Sequence, residues 1–260
     1  MLPPHAKPGN ASLKLNRRIS EQIEHPSEKR RYVRQLFAGV AERYDLTNDV
    51  MSLGLHRRWK RRLLELANLE AGQRVLDLAA GTGDLGRGAL EVSSVRGLEL
   101  DVVAADLTPE MMRVGLARGG PRLLGWIAGD AAQLPFPDGS FDRVLIGYGL
   151  RNFADLDGSL AEIFRCLRAG GRLVALDFGH PPQRLMRRGY FGYLNVSTRL
   201  VGWALHRDPE SYVYIPESLR RFPGQRDVVR RMETVGFAQC GYEDLMLGTM
   251  AINYGNRTDA

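Results

Sequence analysis

From Arg74 onward, short apolar runs alternate with stretches of helical period. Val75, Leu76 and Leu78, then Asp101–Asp106, Trp126–Ala128, Phe141–Ile146 and Arg172–Phe178 read as five buried strands. Between them, Leu85–Val92, the run opening Thr108-Pro109-Glu110-Met111 and the set Leu160, Ile163, Phe164 and Leu167 carry apolar residues at helical spacing. Pro109 suits a first helical position, and either Asp106 or Thr108 can cap that helix. Asp155 caps the helix before the fifth strand, and Gly170-Gly171 is expected to end it. A helix over Arg226–Val235 stops at Gly236, after which Gln239–Leu245 and Met250–Tyr254 predict a terminal antiparallel pair. Strands alternating with helices predict a mostly parallel sheet with helices on both faces. Two helical stretches precede it, one from Tyr32 and one carrying Leu55, Trp59, Leu63 and Leu66. Residues 181–224, with Tyr190, Phe191, Tyr193, Leu194, Trp203 and Leu205, interrupt the alternation with a long aromatic and apolar segment.

Candidate chemistry gathers at strand ends. The first strand runs into Gly81-Thr82-Gly83, a tight turn into a helix where a ligand can approach the backbone without meeting a Cβ. Gly81, Gly83 and Gly86 also satisfy the dinucleotide spacing, which delivers a pyrophosphate to the helix N-terminus. Here Asp77 and Asp84 crowd that position, so an anionic cofactor is disfavoured and a cationic one is not. S-adenosylmethionine, with a sulfonium, an ammonium and no phosphate, suits the acids. Asp106 lies at the end of the second strand, some twenty residues past the glycines, where a carboxylate holds a ribose diol. Asp130 lies just past the third strand, where a carboxylate can accept a hydrogen bond from an adenine amino group. Gly147-Tyr148-Gly149-Leu150-Arg151-Asn152-Phe153 follows the fourth strand and is expected to face the reacting centre.

The glycine turn resembles the first motif of the class I S-adenosylmethionine-dependent methyltransferases. A longer run is more specific. Tyr44-Asp-Leu-Thr-Asn-Asp-Val-Met-Ser-Leu-Gly-Leu-His-Arg-Arg-Trp59 resembles the signature of the menaquinone and ubiquinone biosynthesis C-methyltransferases, as do Gly149-Leu-Arg-Asn-Phe153 and Asp208, Tyr212, Tyr214, Ser218, Phe222 and Pro223. Arg165–Gly179 is similar to the family's second signature, with Asp177 for its usual Glu and Gly179 for its usual Ser, which leaves Asp177 outside the expected site. The resemblance spans roughly Tyr32 to Arg257. It implies a Rossmann-like class I methyltransferase fold, with a seven-stranded, mostly parallel sheet, an N-terminal helical extension and a helical insertion over 181–224 that lids a large apolar ligand. It implies C-methylation of a polyprenyl quinol, demethylmenaquinol to menaquinol or the matching ubiquinone precursor, without a metal. Asp77, Gly81, Thr82, Gly83, Asp106, Leu107, Asp130, Ala131 and Gly147 are then the cofactor residues. Tyr44, His56, Tyr212 and Tyr214 meet the substrate, and Tyr148, Arg151 and Asn152 lie nearest the ring. Arg151 stays protonated, so it is expected to stabilise a quinolate or orient a water, while His56 is a second candidate for the proton.

Charge and length change the picture at one end only. The chain has 260 residues and a formal net charge of +6, and residues 1–34 hold eight Lys/Arg against Glu21, Glu24 and Glu28. Residues 1–30, with Pro3, Pro4, Pro8, Gly9 and Pro26, are expected to form a mobile basic arm, and residues 31–257 a single domain. Solvation alone or an anionic membrane surface explains such an arm. Nucleic acid is not expected, because no aromatic residue interleaves the basic ones before Tyr32. An RNA methyltransferase and a methyltransferase of secondary metabolism are the rival readings. No apolar run reaches membrane-span length and no cleavable leader is seen, which predicts a cytoplasmic protein, at most peripheral at the inner membrane surface. Cys166 and Cys240 read as reduced core residues, and a homodimer is left open.

Overall fold

A computed structural model describes residues 24–118, 125–206 and 210–258, without the side chains of 201–206 and 210–213. Seven strands form one sheet in the order β3-β2-β1-β4-β5-β7-β6. They are β1 (Arg74–Leu78), β2 (Asp101–Asp106), β3 (Gly125–Ala128), β4 (Phe141–Gly147), β5 (Leu167–Phe178), β6 (Ala238–Leu245) and β7 (Met250–Asn256). The first five pair in parallel, and β7 runs antiparallel between β5 and β6. Nine α-helices are described: α1 (Pro26–Val40), α2 (Tyr44–Ser52), α3 (Leu55–Ala67), α4 (Asp84–Arg96), α5 (Pro109–Ala117), α6 (Leu156–Cys166), α7 (Arg184–His206), α8 (Glu210–Arg221) and α9 (Gln225–Val235).

Successive strand residues point to opposite faces, so adjacent apolar residues feed two different cores. Leu76, Val103, Val144 and Leu173 pack with Leu160, Ile163, Val228 and Met232 of α6 and α9. Val75, Val102, Leu145 and Val174 pack on the other face with Leu63, Leu64, Leu85 and Ala89 of α3 and α4. That is why the strands read as continuous apolar runs. Strand order reverses between β1 and β4, which opens a crevice at their carboxyl ends.

Two boundaries differ from the expectation. The helix before β5 ends at Cys166, not at Gly170-Gly171. Leu167 is already extended and pairs with Phe141 at the foot of β4, and the glycines lie inside β5, where Gly170 (φ +75°) and Gly171 exchange backbone hydrogen bonds with Arg257. The second concerns the basic arm. Pro26 starts α1, so residues 26–30 are helical, and Lys29 and Arg30 hold the helix to the domain: Lys29 Nζ donates to the Phe153 carbonyl at 2.6 Å and Arg30 pairs with Asp130 at 2.5 Å. Residues 1–23 of the expected arm lie outside the described residues. Within the expected insertion over 181–224, the described residues include the helices α7 and α8, and residues 207–209 lie outside the description.

Candidate active site

The crevice at the β1/β4 reversal begins with the glycine turn. Gly81 and Gly83 take left-handed φ values of +57° and +80°, and a Cβ on Gly83 would lie 2.5 Å from the Trp126 ring. Gly83 precedes α4, whose first N–H groups are the natural seat for an anion. Asp77 occupies one of them: its carboxylate accepts from Gly86 N at 2.7 Å. The third glycine of the dinucleotide spacing is therefore spent on an internal acid. Asp106 accepts from Gly81 N and from Thr108 N, both at 2.7 Å, which ties β2 to the turn; Thr108 is the residue before α5 and no side chain caps that helix, so neither expected cap is made. Leu107, Asp130, Ala131 and Gly147 line the same crevice, with Arg30 of α1 closing over Asp130. Thr82 is buried and its hydroxyl donates to Asp45 of α2.

The acids feel their burial. Desolvation pushes the Asp77 carboxyl up to about 7, against the opposing pull of the Gly86 N–H and of Lys60. Asp106 is also raised by desolvation, with the Gly81 and Thr108 bonds acting the other way. Asp84, despite desolvation, is lowered by Lys60, whose Nζ sits 2.9 Å away. Along the crevice the acids Asp77, Asp84, Asp106 and Asp130 face Lys60 and Arg30, each cation already paired with one acid. This donor set fits a cationic nucleoside and offers a pyrophosphate nothing.

A second, apolar chamber lies beside the crevice, lined by Leu36, Phe37, Met51, Trp59, Tyr190 and Leu194 among others. Tyr44 and Tyr148 belong to both, so the two spaces meet at these rings. Tyr148 follows the last residue of β4 with a left-handed φ of +63°, a conformation that costs a bulky residue and that here turns its ring into the junction. Three polar groups on the chamber wall are buried without a hydrogen-bond partner: the Tyr148 hydroxyl, Arg151 Nε and Asn48 Nδ2. Such orphans are costly unless a ligand meets them. Among the described residues, no Asp or Glu lines this chamber. His56 does, with Nδ1 2.8 Å from the Ser52 hydroxyl and Nε2 3.7 Å from Asp49, and desolvation together with Lys60 lowers its pKa, leaving a neutral imidazole.

Arg151 is buried, and its partner is Asp177 at the end of β5, not the surface acid Asp155. Asp177 receives Arg151 Nη1 at 2.9 Å and Arg151 N at 3.1 Å, while Nη1 also reaches the Tyr148 carbonyl. Asp155 instead caps α6. Asn152 lines the cofactor crevice and both ends of its amide are engaged: the nitrogen donates to the Tyr148 carbonyl at 3.0 Å and the oxygen accepts from the Tyr214 hydroxyl at 3.1 Å. Tyr214 is buried on the chamber wall, whereas the Tyr212 side chain lies outside the described residues. Sequence reasoning missed Asp177, Lys29 and Arg30, and it noted Asn48 without placing it in the site. Only Asn48 carries a signal, as a member of the Tyr44–Trp59 run that resembles the family signature.

Among the described residues, no group of three acids, cysteines or histidines is arranged to hold a metal. Comparisons with solved structures agree with the sheet order. The putative methyltransferase bound to the Trm112 activator of Haloferax volcanii superposes with a TM-score of 0.61 at 17% identity, covering 88% of this chain and 98% of that one. A possible histamine N-methyltransferase of Thermotoga maritima gives 0.57 at 19%, covering 87% and 100%. These likenesses carry the S-adenosylmethionine-dependent methyltransferase fold. In sequence, the chain is 41% identical over 232 residues to the ubiquinone/menaquinone biosynthesis C-methyltransferase UbiE of Methylococcus capsulatus, covering 88% of this chain and 92% of that one. It is 39% identical over 251 residues to the UbiE of Rubrivivax gelatinosus, covering 96% and 97%. With residues 25–257 matching the family as a whole, this chain belongs to the ubiE/COQ5 methyltransferase family and is an S-adenosylmethionine-dependent C-methyltransferase.

Proposed function

We propose that this enzyme methylates a ring carbon of a polyprenyl quinol, either demethylmenaquinol or the corresponding ubiquinone precursor. The observation that carries the reading is the chamber itself, apolar along its length, with the Tyr148 hydroxyl, Arg151 Nε and Asn48 Nδ2 left unpaired on its wall. A quinol has that shape of chemistry, an apolar ring and tail with two oxygens. Bound S-adenosylmethionine supplies an electrophilic methyl. Asp106 holds the ribose, Asp130 and Ala131 the base, and the turn at Gly81–Gly83 with Asp77 the cationic end. Tyr44 and Tyr148 line the passage between the two spaces.

The protein's remaining tasks are to hold the ring and to handle charge. When a quinol oxygen gives up its proton, electron density moves onto the neighbouring ring carbon; that carbon would take the methyl as the methyl–sulfur bond breaks, and loss of its own proton with return of one to the oxygen restores the aromatic quinol, a net release of one proton. Arg151 stabilises the developing quinolate through Nε, and the neutral His56 imidazole is the titratable acceptor in the chamber. Asn152 positions Tyr148 and Tyr214 instead of touching the ring. Helices α7 and α8 act as the lid. Mass spectrometry of the products from purified enzyme, S-adenosylmethionine and a chemically reduced short-chain demethylmenaquinone tests the reading. A ring-methylated quinol supports it. No methyl uptake, together with steeply salt-dependent RNA binding and RNA methylation, replaces it with the nucleic-acid alternative.

Two results are expected at the cofactor crevice. Asp106→Ala weakens S-adenosylmethionine binding by about 1.5–3 kcal/mol, the usual cost of losing hydrogen bonds to a charged group, and calorimetry reads it directly. Unchanged affinity removes Asp106 from the ribose. Binding is also expected to tighten as pH rises from about 5 to 7. The Asp77 carboxyl, near 7 without ligand, must ionise to meet a cation, so uptake releases a proton. Repeating the calorimetry in buffers of different ionisation enthalpy measures that release, and its absence in Asp77→Asn assigns it.

A further inference from the structure

The chamber opens onto an apolar surface that the methyl transfer does not require. Leu53 is 87% exposed at the end of α2, and Met246 and Leu247, the latter 74% exposed, stand in the turn between β6 and β7. All three have left-handed φ values, +50°, +48° and +60°, at turn positions where glycine or asparagine costs least. Leu53 and Met246 line the chamber's mouth, together with Tyr193 of α7. Along α7, Leu185, Tyr193, Val196 and Leu200 are all exposed. At about 100° per residue they fall within an arc of roughly 80°, opposite the face that buries Leu194 and Thr198. Exposed Arg188 lies about 60° beyond one edge of this stripe and exposed Arg184, in the first turn of α7, about 100° beyond it, and α7 contains no Asp or Glu. Among the described residues no helix is long and apolar enough to cross a membrane.

We propose that this rim, formed by the outer stripe of α7 and the two leucine-bearing turns, docks the enzyme on an anionic lipid bilayer with the chamber's mouth facing the lipid. The rim has the composition of an interfacial helix, with an apolar stripe for the acyl boundary and arginines for the headgroups. Being continuous with the chamber, it lets a prenyl tail pass from bilayer to site without crossing water. Side chains that gain nothing at left-handed turns in water gain burial there. The inference rests on the lipid-substrate reading for its purpose but not for its test.

The experiment is co-sedimentation of the full chain with phosphatidylcholine vesicles, with and without phosphatidylglycerol. The triple variant Leu185→Asp, Leu200→Asp, Leu247→Asp changes none of the residues that line the chamber. It is expected to lose at least tenfold of the partition onto anionic vesicles while methylating a soluble short-chain quinol at the wild-type rate. A second variant, Arg184→Glu with Arg188→Glu, is expected to lose the preference for anionic over neutral vesicles, which checks the surface without removing apolar groups. The docking face is wrong if the full chain does not sediment with vesicles, if the triple variant sediments equally, or if deleting residues 1–23 abolishes sedimentation by itself. It is also wrong if ultracentrifugation finds a dimer that the triple variant splits, since a second copy then covers the rim. If the wild-type chain leaves the short-chain quinol unmethylated, the substrate reading fails separately and the vesicle result still decides the docking face.

Discussion

Arg151→Lys is expected to bind S-adenosylmethionine normally and to lose turnover by about 10²-fold or more, the scale of one preorganised donor aimed at developing charge. Lysine keeps the positive charge but not the planar fork. In this site the fork is divided: Nη1 is engaged by Asp177 and the Tyr148 carbonyl, which fixes the guanidinium plane, and Nε is left without a partner. An ammonium in the same place satisfies the acid and leaves the chamber without its donor. Single-turnover kinetics with a short-chain quinol separate this loss from binding. If Arg151→Lys keeps near-normal turnover while His56→Ala abolishes it, proton removal by His56 carries the rate and the role given to Arg151 is wrong. The neutral His56 predicted by its burial makes that outcome measurable, because wild-type turnover then falls only at acid pH, as the imidazole gains a proton below its ordinary value.

Asp177→Ala is expected to destabilise the protein by about 3–5 kcal/mol, because it leaves the Arg151 guanidinium buried without its counter-charge. The side chains of this pair are only 6% and 4% exposed, so water does not replace the lost carboxylate. Lys29 makes the loss worse. Its ammonium is lowered to about 8 by desolvation first and by Arg151 second, with Asp177 opposing, so removing the acid leaves two cations facing each other. Urea unfolding of Asp177→Ala against Asp177→Ala/Arg151→Met measures the effect. The double variant is expected to recover much of the stability while remaining inactive. Equal stability of wild type and Asp177→Ala contradicts the buried-pair argument.

Asp177 also marks where sequence reasoning stopped. By sequence it departs from the residue usual in the family it resembles and falls outside the expected site, yet it is the group that orients Arg151. Nothing local relates residues 151 and 177. They meet because β4 and β5 pair in a register that brings the Tyr148 N–H to the Leu176 carbonyl at 2.7 Å, and that register is set by side chains packing on both faces of the sheet. The basic segment failed for a related reason. Lys29 and Arg30 have the composition of a solvated arm, and only the folding of α1 against the loop after β4 and the bend after β3 turns them into a latch.

What the sequence determined by itself was everything that depends on neighbours along the chain. The five parallel strands and the glycine turn follow from apolar runs and from residues that tolerate left-handed backbone. The acids Asp77, Asp106 and Asp130 follow from their places at or near the carboxyl ends of strands, and the choice of a cationic over an anionic cofactor follows from Asp77 and Asp84 on either side of the glycine turn. Tertiary structure decided which polar groups were left over. Asn152, adjacent to Arg151, spends both ends of its amide on Tyr148 and Tyr214, whereas Asn48, remote in sequence, keeps an unpaired donor in the chamber. Hydrogen-bond capacity is consumed by whatever the fold brings within about 3 Å, so the unspent remainder that meets a substrate is a property of the packed molecule and not of any stretch of chain.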